Sequence, residues 1–237
     1  MKTAVINFAS QRAWFPAGAE RLRASLLAHG YSGDFRFESV EKDIPSPSHE
    51  DAPYAFKPAM FVKAMRAGYD IVLWCDAAMF AVRPITPLLD HIAACGQLLF
   101  NNGCVGEWSS DVALESFGVT REEAFKITEI SGCCMGFDLR SPVTKAFINE
   151  WSEKSLDGKT FKGSWTNQDG SVSSDPRVKG HRHDQTAASI IAHKLGISGV
   201  SRMMQYYYSK DGRPYRLEYD NDMSVLRDDT CICNQGM

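Results

Sequence analysis

Asp76 closes an apolar run, Tyr69-Asp70-Ile71-Val72-Leu73-Trp74-Cys75. A carboxylate at the tip of a buried strand can hold a hard divalent cation beside a diphosphate, or it can simply cap a turn. Further along, His181-Arg182-His183-Asp184-Gln185 gathers two imidazoles, a carboxylate and a carboxamide. At the start of a helix the dipole favours the charged form of Asp184. The same residues also suit a plain cap, with one histidine packed under the loop before it. Lys57, in Tyr54-Ala55-Phe56-Lys57-Pro58, opens another helix, a poor place for a cation unless an anionic ligand sits there. Its other reading is an exposed lysine. Arg21 and Arg83 are candidates for phosphate contact or for surface ion pairs. Gly132 and Gly136, in Ser131-Gly132-Cys133-Cys134-Met135-Gly136-Phe137, allow close backbone approach to a ligand, or serve tight turns.

These residues need a frame. Lys2 to Ala9 alternates weakly and is rich in Val, Ile and Phe, and Ala17 to His29 sets Leu22, Leu26 and Leu27 at helical spacing before Gly30. A strand followed by a helix is predicted. Asp34 to Val40 predicts a second strand, and Pro45, Pro47 and Pro53 make residues 41–53 a loop. A helix follows from Tyr54 to Ala67, with Pro58 in its first turn and Gly68 at its end. The run ending at Cys75 has the pattern of a strand covered on both faces, as in parallel α/β sheets. Open sheets of that kind place ligands at the carboxyl ends of their strands. Beyond Asp76 the pattern predicts a helix at Thr86 to Ala94, a strand around Leu98 to Phe100, one or two helices between Ser109 and Ile127, and a strand at Cys133 to Leu139. Ser141 and Pro142 open a helix in which Val143, Phe147 and Trp151 recur every four residues. Residues 155–180, rich in Gly, Ser, Asp and Lys, predict a long lid or binding loop, after which His181 to Gln185 open a last helix. The alternation predicts an α/β class and one domain over residues 1–237, with about 201–237 a C-terminal extension of no clear period.

The 237 residues, 44% hydrophobic and 23% charged, suffice to bury a full core and exclude a disordered chain. With 26 Lys+Arg against 29 Asp+Glu there is no basic excess to hold a polyphosphate duplex, so nucleic acid is not expected as a partner. No window offers about 18 uninterrupted apolar residues, so no transmembrane segment is expected. With no leader-like run behind Met1 to Ala9, a cytoplasmic location is expected. Seven cysteines, several in apolar runs such as those ending at Cys75 and Cys95, read as small buried hydrophobes in a reducing compartment.

Four stretches then occur in order: Trp14-Phe15-Pro16-x-Gly18-x-x-Arg21-Leu22, Pro53-Tyr54-x-Phe56-Lys57-Pro58, Tyr69-Asp70-Ile71-x-Leu73-Trp74-x-Asp76 and Gly180-His181-Arg182-His183-Asp184-Gln185-x-x-x-Ser189. Over roughly residues 1 to 200 the chain resembles a group of small bacterial and large-DNA-virus glycosyltransferases. Asp76, followed by Arg83-Pro84 before a helix, is likewise similar to the metal-binding segment of GT-A enzymes, whose usual Asp-x-Asp has Ala78 in its third place here. The resemblance implies a GT-A fold, Rossmann-like, with a mixed, mostly parallel sheet flanked by helices. It also implies a nucleotide-sugar donor such as a UDP-sugar, transfer of a hexosyl or deoxyhexosyl group to a glycan or other hydroxyl, and a manganese or magnesium ion. On that reading Asp76 and His183 hold the metal. Phe8, Ala9 and Ser10 seat the base and ribose, and Arg21, Lys57, Gly132 and His183 surround the rest of the donor. An Asp-Gln pair opening a helix resembles the donor-sugar segment of retaining enzymes, which implies Asp184 and Gln185 as catalytic residues.

Three other classes fit less of the sequence. A nucleotidyltransferase needs a Gly-rich basic loop after its first strand, where Ala9-Ser10-Gln11-Arg12-Ala13-Trp14 stands. A metallohydrolase built on His-x-His-x-Asp-His needs its Asp one place later and a final His. A non-catalytic carbohydrate-binding module accounts for the aromatics but not for two ligand clusters at sheet edges.

Overall fold

A computed structural model describes residues 1–40, 43–200, 205–207, 209–210, 213–214 and 230–234. Strand β1 (Thr3–Phe8) leads into helix α1 (Phe15–Ala28), which has Pro16 in its first turn and turns Leu22 and Leu26 inward. There follow β2 (Asp34–Glu38), α2 (Phe56–Arg66), β3 (Ile71–Cys75), β4 (Met79–Ala81), α3 (Thr86–Cys95) and β5 (Gln97–Cys104). A 3-10 turn (Val105–Glu107), α4 (Asp111–Phe117) and α5 (Arg121–Ala124) come next, then β6 (Thr128–Asp138), α6 (Pro142–Leu156) and α7 (His183–Lys194). Short strands β7 (Gln205–Tyr207), β8 (Ser209–Lys210), β9 (Arg213–Pro214) and β10 (Ile232–Asn234) complete the described elements.

The main sheet has the order β2-β1-β3-β6-β5. β1 pairs in parallel with β2 and β3, while β6 runs antiparallel between β3 and β5, so β6 alone opposes the common direction. This is the mixed, mostly parallel sheet flanked by helices that the sequence predicts. Strand alternation sorts its side chains between two cores. Ile6, Val72, Trp74 and Phe137 face α2, α6 and α7, where Phe61, Phe147, Trp151 and Ile191 meet them. Val5, Leu73, Cys75 and Leu98 face the other way, onto Leu22 and Leu26 of α1 and Leu88 and Ile92 of α3. Burial of β3 on both faces explains its unbroken apolar run.

Some boundaries depart from the sequence reading. β6 begins at Thr128 rather than Cys133, because its first residues pair with β5 (Asn101 opposite Ile130, Gly103 opposite Glu129); Ser131 and Gly132, which have little strand preference of their own, link these pairs to the ladder that resumes at Met135. Cys95, expected to be buried, is exposed at the end of α3, and Gly96 takes a left-handed φ of 85° to stop the helix. Ser141 caps α6 as expected, its hydroxyl accepting from the Thr144 amide. The segment between α6 and α7 is a packed loop: the Asn167 side chain accepts from the amides of Val172 and Ser173 and donates to the carbonyls of Ser173 and Val178. Part of the C-terminal extension returns to the body, with β10 pairing antiparallel to β4 and parallel to β7 and Ile232 fully buried. β8 and β9 pair antiparallel with each other, and the remainder of the extension lies outside the described residues, among which no helix is long and apolar enough to cross a membrane.

Candidate active site

The carboxyl ends of β1 and β3, the first turns of α2 and α7, and the middle of β6 converge. β3 delivers Asp76 just past its last residue, and the Asp76 amide donates to the Cys133 carbonyl of β6 at 2.9 Å. Trp74, one strand period earlier, turns its Nε1–H back onto Asp76 Oδ1 at 2.7 Å. Arg21 of α1 donates to the Ala78 carbonyl at 3.0 Å and lies over the Phe80 ring, which fixes the turn after Asp76 from behind. Gly18 permits that packing, since a Cβ there would stand 2.4 Å from the Ala77 carbonyl oxygen.

Lys57 occupies the centre. Its ammonium, 4% exposed, donates to the Gly132 carbonyl at 2.8 Å and lies 3.3 Å from Asp76 Oδ1 and 3.2 Å from Asp184 Oδ2. The reading of Lys57 as a surface residue is thereby corrected. Burial opposes its charge, but the two carboxylates overcome this and hold it as an ammonium. Asp184 is buried in the first turn of α7. Burial raises its carboxyl to about 6, with Lys57 pulling down and Asp76 pushing up. The helix dipole that favours ionisation in the sequence reading is thus outweighed by desolvation. The carboxyl still ionises at neutral pH.

Gln185 is locked beside it. The Gly132 amide donates to Gln185 Oε1 at 2.8 Å, and Gln185 Nε2 points at Glu129 Oε1 at 3.5 Å. Gly132 is required here: a Cβ would stand 2.8 Å from Asp184 Oδ2 and 2.9 Å from Gln185 Cγ. Ser189 Oγ donates to the Gln185 carbonyl and accepts from the Ile130 amide, and Trp151 Nε1 donates to the Asp184 carbonyl, so the start of α7 is tied to both β6 and α6. Glu129 was missed in the sequence. It is buried, accepts from Asn102 Nδ2 at 2.8 Å, and burial pushes its carboxyl up to about 7. A glutamate inside a strand reads as a solvent-facing residue until the strand is known to be covered there.

The two histidines separate. His181 is fully buried, its Nδ1 accepting from the Ser110 amide and its Nε2–H donating to the Thr160 carbonyl, and burial depresses it to about 3. It bolts the 157–182 loop to the start of α4. His183 has a left-handed φ of 40°, donates from Nε2 to the Gly163 carbonyl at 2.9 Å, and keeps a buried Nδ1 without a partner. Its ring packs on Trp165 and Tyr54, and Tyr54 itself has a φ of 66°. Such backbone strain just before Lys57 and Asp184 marks a place whose geometry the surrounding fold enforces. Phe8 packs at a tilt on Phe56 with centroids 4.6 Å apart, Ala9 is buried against Ala77, and Ser10 is half-buried beyond the end of β1. Asn7 donates to the Cys75 carbonyl and leaves its Oδ1 buried and unpartnered.

The ligand set implied for a divalent cation does not fit these residues. Asp76 Oδ1 already carries an indole N–H and an ammonium. Position 78 has a methyl group where a second carboxylate is needed, and the His183 ring is turned to Gly163. No group of three or more His, Cys, Asp or Glu among the described residues is placed to hold a metal.

The sheet and its helices have the fold of glycosyltransferases. Mouse xyloside xylosyltransferase 1 in its apo form matches 100% of this chain over 98% of its own, with a TM-score of 0.51 at 10% identity. The apo structure of the bifunctional glycosyltransferase WbbM matches 98% of this chain over 45% of its own, with a TM-score of 0.54 at 11% identity. At these identities the likeness speaks for the fold. No protein-family model matches the chain, and no curated protein matches it.

Proposed function

We propose that this chain is a glycosyltransferase that moves a sugar from a nucleotide-diphosphate donor, UDP-linked in our reading, to a hydroxyl of a glycan or similar acceptor, with retention of anomeric configuration. The observation that carries this is the Asp184–Gln185 pair at the start of α7, Asp184 buried against Lys57 and the half-buried Gln185 bonded to Gly132, at the carboxyl edge of a glycosyltransferase fold. The kinship with small bacterial and viral enzymes rests on the four sequence stretches.

In this account the base and ribose lie across Phe8, Ala9 and Ser10, and the donor sugar faces the 132–133 backbone. Asp184 supplies negative charge near the anomeric carbon, where positive charge develops as the bond to the diphosphate oxygen breaks. Lys57 holds that carboxylate in one position, which limits reorganisation during the step. Gln185 is oriented by Gly132, and the unpartnered Nδ1 of His183 is an acceptor for a sugar hydroxyl. The acceptor oxygen bonds to the anomeric carbon from the face the diphosphate leaves, and its proton passes to the departing phosphate oxygen. Retention follows. The test is incubation with a panel of nucleotide-sugars: release of nucleoside diphosphate from one of them is expected, and its absence across the panel contradicts the proposal.

A further inference from the structure

Two carboxylates that face one site repel each other and ordinarily recruit a cation, protonate, or both. Here the cation belongs to the chain. The Lys57 ammonium donates a hydrogen bond to the Gly132 carbonyl, and its charge faces Asp76 Oδ1 at 3.3 Å and Asp184 Oδ2 at 3.2 Å, an ion pair with each. Lysine in the first turn of an α-helix is disfavoured by the dipole, and burying it away from water is costly unless it is paired. Both terms would expel Lys57 to solvent if the pair of carboxylates did not hold it.

Asp76 and Asp184 bring two negative charges and Lys57 brings one positive. α2 and α7 both set their first turns at the cluster, Lys57 standing in one and Asp184 in the other. Each helix N-terminus contributes about half a positive charge. The cluster is therefore close to neutral with nothing added. A divalent cation placed between the carboxylates would have to displace a buried ammonium that is ion-paired to both and bonded to the Gly132 carbonyl. At position 78 it would find a methyl group where a second carboxylate oxygen is needed.

We propose that Lys57 is the resident cation of this site, so that Asp76 and Asp184 do not bind a divalent metal and donor cleavage proceeds without one. This rests on the glycosyltransferase reading above for its second half only. The first half concerns the chain's own residues and is measured without a substrate.

The experiment has two arms. In the first, the free manganese signal is followed by electron paramagnetic resonance as apo protein is added. The wild type is expected to leave the signal unchanged, and Lys57→Met is expected to bind manganese at least about tenfold more tightly, because the two carboxylates are then left uncompensated. Manganese uptake by the wild type at micromolar concentration, abolished by Asp76→Ala, overturns the proposal, and needs no variant of Lys57 to fold. In the second arm, nucleoside diphosphate release is compared in chelator and in manganese or magnesium. Equal rates support the proposal, and loss in chelator restored by metal overturns it. If no donor is cleaved under any condition, the glycosyltransferase reading fails while the manganese titration still decides the role of Lys57.

Discussion

At the scale of the residue, Asp184 carries the account. Its carboxyl is raised to about 6 by burial and kept from rising further by Lys57, so the ionised form prevails above that pH and is lost below it. Charge stabilisation is needed mainly in the transition state. Asp184→Asn is therefore expected to lower kcat by roughly 100-fold or more with little change in donor affinity, and to remove an acidic limb near pH 6 from the wild-type profile. A variant with normal turnover, or one that keeps the limb, removes Asp184 from the chemistry. Gly132 makes a second prediction at this scale. An added methyl group would stand 2.8 Å from Asp184 Oδ2 and 2.9 Å from Gln185 Cγ. Gly132→Ala is expected to cost about 1–3 kcal/mol of stability in chemical denaturation and to lose most activity, because Asp184 and Gln185 must shift together. Unchanged kinetics would mean that this contact has room to give.

At the scale of the element, the site depends on how the 157–182 loop is fixed. His181 joins the Thr160 carbonyl to the Ser110 amide that starts α4, and Ser173 Oγ donates to Asp111 Oδ1. The His181 imidazole is depressed by burial to about 3 from an ordinary value of 6.5. Between those values the unfolded chain binds the proton and the folded chain does not. Stability is therefore full above pH 6.5 and declines as pH falls toward 3, by up to about 1.4 kcal/mol per pH unit for this one group. Denaturation at a series of pH values is expected to show that slope in the wild type and a shallower one in His181→Leu, whatever the variant loses at neutral pH. Identical slopes would place the acid sensitivity elsewhere. Elements of this kind differ in how well the sequence announces them. β3 and α6 are plain, one through its unbroken apolar run and the other through Ser141, Pro142 and the spacing of Phe147 and Trp151. The first half of β6 is hidden, because Ser131 and Gly132 have little strand preference of their own and are strand only as the link between Thr128 to Ile130, paired with β5, and the ladders that resume at Cys134 and Met135. The site is legible in the same uneven way. Asp76 and Asp184 stand at a strand end and a helix start, positions that local pattern marks. The burial of Lys57 depends on carboxylates brought from β3 and α7, and that of Glu129 on the packing of Asn102 and Gln185, neither of which any local window contains.

At the scale of the whole molecule, the sheet collects these groups on one edge and the two cores hold that edge rigid. α2 and α7 are packed over the same face, with Phe56, Phe61 and Ile191 in one core, so the first turns that carry Lys57 and Asp184 cannot separate without opening it. The other core is closed in part by the chain's last described strand, Ile232 of β10 lying against the apolar surface under β4. A buried unpaired charge is costly, and the first turns of the two helices and the end of β3 bring Lys57, Asp184 and Asp76 together so that each charge meets an opposite one. The central claim is that this arrangement breaks a nucleotide-sugar bond with retention. Its most direct test is time-resolved proton NMR of the purified chain with the donor it accepts. The donor's anomeric signal is expected to decay, the first sugar product to carry the donor's anomeric coupling constant, and Asp184→Asn to leave the donor intact on the same timescale. A first product of the opposite configuration, or equal decay in the variant, would contradict it.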